Sequence, residues 1–172
     1  MTDLQKLLSL LILKTAPQDL SYSLRYTVRL AVVYILSGLI VLQTTLAPDD
    51  ILAGMMLGLA IQYMFTYSVL RGLNRSARMM QTFSAILGVG ILFNLMSWPI
   101  FAVLSDDMTT ETMKSSMSLL FLLLISWEVL VKAHIFKHAL EMKMFSALAL
   151  SLSLFFISVA LSQLMFPGNS TG

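Results

Sequence analysis

Five apolar stretches, each about as long as a lipid bilayer is thick, dominate this sequence. They cover residues 28–47, 51–70, 81–104, 115–136 and 144–166. A helix rises 1.5 Å per residue, so roughly 20 residues cross the ~30 Å hydrocarbon core of a membrane. Only helices and closed barrels satisfy their backbone polar groups in lipid, and these stretches lack the alternation of a barrel. The sequence therefore predicts an all-α polytopic membrane protein with five transmembrane helices.

The composition supports this fold class and excludes several kinds of function. Of 172 residues, 58% are hydrophobic and 12% are charged, against about 45–50% and about 25% in a soluble domain. The net charge of +2 leaves no basic surface for nucleic acid, and the lack of cysteine excludes disulfides and thiolate metal sites. We expect a single transmembrane domain over residues 16–172, surrounded by membrane lipids, with no cofactor and no nucleic-acid partner.

Residues 1–15 precede this domain and have the pattern of a short amphipathic helix. Thr2 and Gln5 form a capping-box pattern at its start. Leucines then recur at helical spacing, at Leu4, Leu7, Leu8 and Leu11. The run is too short to span a bilayer and has no convincing cleavage site, so we expect it to be retained. The helix either lies in the membrane interface or packs against the cytoplasmic end of the bundle.

A second capping pattern follows directly. Thr15 and Gln18 flank Pro17, which is tolerated in the first turn of a helix. This pattern predicts a second helix that starts near Ala16 and continues into the first span.

The basic residues predict the orientation in the membrane. Ten of the eleven lie before or at the start of span one, between spans two and three, or around the junction of spans four and five, namely Lys6, Lys14, Arg25, Arg29, Arg71, Arg75, Arg78, Lys132, Lys137 and Lys143. The other connections carry Asp49, Asp50, Asp106, Asp107 and Glu111, with Lys114 as the exception. By the positive-inside rule, the N-terminus is cytoplasmic and the C-terminus is outside. We expect a multi-pass protein of the bacterial inner (cytoplasmic) membrane.

The segment "KAHIFKHALEMK" after span four carries the only two histidines. On a continuous helix, His134, His138 and Glu141 would share one face. Two imidazoles and a carboxylate could bind a divalent metal. Histidines at a basic membrane interface and a pH-responsive contact are the alternatives. We predict interfacial histidines and no metal site, with these three residues as the candidates if one exists.

Glu128 and Lys132 are four residues apart on another face of the same span. Their order favours an ion pair, and a carboxylate inside a membrane is costly unless it faces a partner. We predict an intramembrane ion pair. Its role is either to fix the rotation of the helix or to relay protons.

Small and polar residues mark faces suited to close helix packing. Gly54 and Gly58 form a GxxxG motif, Gly88 lies one turn after Ser84, and Asn94 can bond to a neighbouring helix. These residues predict packing either within the bundle or between copies. They do not indicate which.

One segment resembles a known family. In "RSARMMQTFSAILGVGILFNLMSWPI", a basic loop leads into the third span and a proline closes it. The residues that carry the likeness are Arg78, Gln81, Thr82, Ala85, Gly88, Leu95 and Pro99. The segment resembles bacterial members of the Yip1-like family of small multi-spanning proteins. "PQDL" and "WEVLVKAHIFKHAL" are similar to short proteobacterial inner-membrane proteins without assigned function. The resemblance implies five spans, a cytoplasmic N-terminus and a short C-terminus outside.

No catalytic motif occurs in the chain, and the polar residues of the spans are dispersed along the sequence. We therefore expect a non-enzymatic protein that acts as a scaffold or assembly partner of other membrane components. Its partner would be another membrane protein or a second copy of the chain. The alternative is a small transporter or channel subunit that uses the intramembrane Glu, Lys and His residues.

Overall fold

The computed structural model describes residues 2–45 and 50–166, and all regular structure in these residues is helical. The helices are α1 (Asp3–Leu11), α2 (Leu24–Thr45), α3 (Ile51–Gly72), α4 (Met79–Leu104), α5 (Glu111–Leu140) and α6 (Met144–Met165). Helices α2–α6 are long and apolar enough to cross a membrane, which confirms the all-α prediction with five candidate spans. Residues 46–47 of the first predicted span, Asp49 and the predicted outer tail (167–172) lie outside the described residues.

Helix α4 is the centre of the bundle. It packs against α1, α2, α3 and α5, while α6 packs against α5 and α3. Small residues let the neighbours approach: a Cβ on Gly90 would lie 2.8 Å from the Tyr34 ring of α2. Two hydrogen bonds join the same pair of helices, between Thr27 and Ser84 (2.7 Å) and from the Asn94 amide to the Ser37 hydroxyl (3.2 Å). These contacts set the register of α2 on α4.

The connections between helices lie at two ends of the bundle, one rich in basic residues and the other in acidic residues. The basic end comprises residues 16–23, 73–78 and 141–143, and the acidic end comprises residue 50 and residues 105–110. Three helices end with a left-handed residue, at Leu13, Asn74 and Glu141. In each, the next residue donates to a carbonyl five residues back, as Lys14 does to Ser9. These are Schellman-type endings, which satisfy carbonyls left free by the helix.

Residues 3–20 form a hairpin against α4 and α5, here called the N-terminal hairpin. Leu7 lies against Gly88 of α4, and the Trp127 indole of α5 donates to the Leu11 carbonyl (3.1 Å). The chain then turns back at Leu13 towards the basic end. Trp127 precedes Leu140 by 13 residues, about 20 Å along the axis of α5. The hairpin therefore reaches well into the bundle.

Burial divides the leucines that the sequence placed on one face of residues 1–15. Leu7 (6% exposed) and its neighbour Leu10 (0%) pack into the bundle, whereas Leu4 (61%) and Leu8 (46%) are exposed. The predicted helix from Ala16 into the first span was wrong. Pro17–Asp19 form only a 3-10 turn, and α2 begins at Leu24. The Asp19 carboxylate accepts from the Ala16 N–H (3.0 Å) and completes the turn locally.

Hydrogen bonds hold the returning segment of the hairpin, residues 14–20, against the bundle. The Gln18 amide donates to the His138 carbonyl at 2.6 Å. The Gln81 amide donates to the carbonyls of Gln18 (2.9 Å) and Leu20 (3.1 Å). The hairpin is thus bonded to the ends of both α4 and α5.

Candidate functional site

The two histidines face the N-terminal hairpin. The His134 ring is buried, and its Nε2 donates to the Thr15 carbonyl at 3.0 Å. The rings of His134 and His138 meet edge to face, with centroids 4.5 Å apart. Their immediate role is to pack the returning chain against α5.

Glu141 does not share the histidine face. Helix α5 ends at Leu140, and Glu141 adopts a left-handed conformation. Its carboxylate accepts from the guanidinium groups of Arg78 and Arg75 on the α3–α4 connection. Among residues 2–45 and 50–166, no group of three or more His, Asp or Glu side chains is placed to hold a metal ion. The three sequence candidates for a metal site are therefore divided between two contacts.

Arg78 links the two connections at the basic end. Besides Glu141, it donates to the carbonyls of His138 (3.2 Å) and Ala139 (3.0 Å), which the end of α5 leaves free. The Arg78 hydrogen bond, aided by the charge of Arg75, holds the pKa of Glu141 below its ordinary value. The carboxylate therefore stays ionised, and the contact stays formed, at lower pH than for an isolated glutamate.

Glu128 and Lys132 form the ion pair that their spacing predicts. Lys132 Nζ lies 2.7 Å from Glu128 Oε1. The side chains are 15% exposed for lysine and 27% for glutamate, so both are largely removed from the surface. Burial of two charges is costly unless they meet each other and further polar groups.

A cavity of about 200 Å³ adjoins this pair, and helices α2, α3, α5 and α6 enclose it. The lining residues are Tyr34, Gly58, Gln62, Glu128, Val129, Lys132, Ser151, Leu154, Phe155 and Ser158. Tyr34, Gln62 and Leu154 are the eleventh or twelfth residues of helices that are each 22 residues long. Such helices extend about 33 Å, so the cavity lies near the middle of a bilayer that they cross.

The polar groups around the cavity connect its walls. The Gln62 amide donates to the Tyr34 hydroxyl (3.0 Å), which joins α3 to α2. The Ser151 hydroxyl donates to the Val129 carbonyl (2.7 Å), which joins α6 to α5. Gln62 Oε1 is buried and has no hydrogen-bond partner among the described residues.

The small residues divide into two groups. Ser84, Gly88 and Asn94 lie in close contacts of α4 with α1 and α2. By contrast, a Cβ added to Gly54 or Gly58 would meet nothing within 4 Å. Gly58 borders the cavity, and Gly54 lies one turn further towards the acidic end on the same face. Among the residues that the structure describes, no other helix therefore comes into close contact with the two glycines of the GxxxG motif.

Sequence reasoning missed much of this site. Tyr34, Ser151 and Ser158 gave no signal, because isolated hydroxyl groups are common in membrane helices. One signal was present: Gly54, Gly58 and Gln62 recur every four residues, which places two open positions and an amide on one face of α3. Gln62 and Glu128 lie on different helices, 66 residues apart in the sequence, so no local pattern links them.

Comparisons of the chain with protein-family models, curated proteins and solved structures found no match. The resemblance to the Yip1-like family therefore stays a prediction from the residues that carry it. The site has to be interpreted from its own geometry.

Proposed function

We propose that this chain is a non-enzymatic protein of the bacterial inner membrane that acts as a scaffold or assembly partner for other membrane proteins. We place its basic end in the cytoplasm. Arg75 and Arg78 meet Glu141 there, beside the hairpin that holds Lys6 and Lys14. A shared basic end is what the positive-inside rule requires of a cytoplasmic surface.

The observation that carries the proposal is the unequal packing of three helices. No residue is buried in three segments of the described chain: residues 51–60 of α3, 111–128 of α5, and 155–166 at the end of α6. The other parts of the same helices bury residues such as Leu70, Phe136 and Ala147. The segments near the acidic end therefore present a largely apolar surface that the described residues do not cover.

The occupant that best fits this surface is an apolar transmembrane helix of another protein. The surface is apolar, and Gly54 leaves room there for the backbone of a neighbour. Helices in lipid associate through close packing at such small residues, since lipid provides little hydrophobic driving force. A short soluble peptide would gain nothing comparable.

The test is recovery of a partner from native membranes in mild detergent. We expect the wild-type protein to copurify with a stoichiometric membrane protein and Gly54→Leu to lose it. Gly72→Leu is the matched control, since Gly72 lies on the same helix and is equally open. A monomeric protein without a partner would contradict the proposal, as would equal recovery with both variants.

A second candidate function, a small transporter or channel subunit, is favoured by the cavity. Its ion pair lies near mid-length of the helices, where membrane transporters bind their substrates. Uptake of the transported solute into proteoliposomes should disappear in Glu128→Gln. It should persist in Glu111→Gln, because Glu111 lies at the exposed start of the same helix. Flux that is equal in the two variants would exclude this role for the pair.

A further inference from the structure

The cavity walls have both hydrogen-bond donors and acceptors to spare. A lysine ammonium has three donors and a carboxylate has two acceptor oxygens. One of each is engaged in the contact between Lys132 and Glu128 Oε1, and the described residues supply no other partner. The Tyr34 hydroxyl accepts from Gln62, which leaves its own proton free to donate. A ligand could therefore bond to both members of the pair without separating them.

The charge of the walls restricts the ligand. Glu128 and Lys132 are the charged residues of the lining, and their charges cancel. A ligand with a net charge would have no counter-charge in this setting, and burial of an unpaired charge is costly. A ligand with one positive and one negative group could place its cation by Glu128 and its anion by Lys132. The walls thus favour an electroneutral ligand that carries both charges.

The volume restricts the ligand further. The cavity measures about 200 Å³, whereas sites for drug-sized ligands usually measure ~300–1,000 Å³. At ~30 Å³ per water molecule in the liquid, the space equals about six or seven waters. A nucleotide or an oligosaccharide is too large, but a group of a few heavy atoms fits. Gly58 contributes to this space, since any larger side chain there would project into it.

We propose that this cavity binds a small zwitterion, with a primary ammonium group beside Glu128 and an anionic oxygen beside Lys132. The chemistry is shared by a free amino acid and by the headgroup of an ethanolamine phospholipid. The site does not depend on the assembly role and deepens the second candidate function by naming its substrate class. If alanine binds but is not taken up by proteoliposomes, transport is excluded while the binding site stands.

The experiment measures binding to the full chain in nanodiscs. In the first arm, phosphatidylglycerol nanodiscs are titrated calorimetrically with alanine and with the methyl ester of phosphoethanolamine, a phosphodiester with no net charge like the lipid headgroup. In the second arm, native mass spectrometry counts phosphatidylethanolamine molecules retained from mixed bilayers. Saturable binding in either arm supports the proposal and identifies the source. No binding in both arms overturns it.

Variants tie the binding to the cavity. We expect Glu128→Gln and Lys132→Met each to weaken binding at least tenfold and Gly58→Leu to abolish it. Gly72→Leu and Glu111→Gln, which change the open basic end of α3 and the start of α5, should bind like the wild type. Wild-type affinity in Gly58→Leu would overturn the proposal.

Two further measurements keep the result independent of folding. The double variant Glu128→Lys/Lys132→Glu restores a pair with no net charge, and it should regain binding to within tenfold of the wild type. Methylammonium and acetate each carry only one of the two charges, so neither should bind with comparable affinity. A preference for either single ion over alanine and the methyl ester of phosphoethanolamine would overturn the assignment of a zwitterion.

Discussion

The half of the bundle near the basic end and the half near the acidic end differ in what holds their helices. Near the basic end, the N-terminal hairpin, α4 and α5 share an apolar core, and Gln18, Arg78 and Gln81 bond across them. Near the acidic end, Asp106 bonds only within its own connection, to Met108 and Thr109. Polar contacts distant in sequence join the connections of the first half to its helices, whereas the hydrogen bonds of Asp106 in the second half are local.

This difference in packing predicts that the two halves differ in local stability. Segments with few buried contacts open at lower free energy than the packed core of the same protein. The half near the basic end should therefore open at a higher free energy than the half near the acidic end. The cavity lies where the two halves meet, next to Gly58 and the Glu128–Lys132 pair.

The largest expected difference in stability is between two variants that replace a glycine with leucine, one in each half of the bundle. In Gly88→Leu, the new Cβ would lie 2.3 Å from Leu7 Cδ2, so the N-terminal hairpin must move. We expect a loss of about 3 kcal/mol in unfolding free energy, at the upper end of typical overpacking costs. Gly54→Leu meets open space and should change stability by less than about 0.5 kcal/mol. Denaturant unfolding in detergent measures both.

A proteolysis assay extends that comparison. The hairpin of Gly88→Leu should be cleaved faster than that of the wild type, and adding Leu7→Ala should slow the cleavage again. Equal stability of the two glycine variants would show that the halves do not differ in packing.

A smaller effect is expected from removing the arginine that caps α5. Arg78→Gln loses hydrogen bonds to the carbonyls of His138 and Ala139 as well as the contact with Glu141. We expect a loss of about 1.5–3 kcal/mol, the range for bonds from charged donors. Lys143→Gln is a control at the same end, since Lys143 is exposed. Thermal unfolding of the purified variants measures the effect. If Arg78→Gln is as stable as Lys143→Gln, the cap does not stabilise the bundle.

The smallest expected effect is a pH dependence that differs between the ends. Because the pKa of Glu141 is lowered, its contact with Arg78 is formed above the ordinary glutamate range and lost only as pH falls through the lower folded value. Distances between spin labels at Asn74 and Lys143 should therefore lengthen only in strong acid. In Glu141→Gln they should be longer at neutral pH and insensitive to acid.

Asp106 provides the counterpart at the acidic end. The N–H of Met108 and the hydroxyl of Thr109 lower its pKa, but both partners belong to the same connection. Its titration should leave distances between helices unchanged. If distances between helices lengthened at both ends in the same pH range, the contacts of Asp106 and Glu141 would not differ as we expect.

Much of the fold could be predicted because it depends on local properties. Hydrophobic length alone identified five helices, and α3 and α6 begin at the predicted residues, Ile51 and Met144. The ion pair of Glu128 and Lys132 follows from one turn of a single helix. The capping-box pattern of Thr2 and Gln5 likewise marks the start of α1.

The sequence did not predict where the hairpin packs or which side chains line the cavity. Glu141 leaves the histidine face because α5 ends at Leu140, where Arg75 and Arg78 supply partners from a connection more than 60 residues earlier. Tyr34, Gln62 and Ser151 come together only because three separate helices pack around one space. The sequence by itself determined which segments become apolar helices, since hydrogen bonding and transfer to lipid act within each segment. Only the tertiary structure decided which side chains meet, since that depends on how small residues let distant helices approach one another.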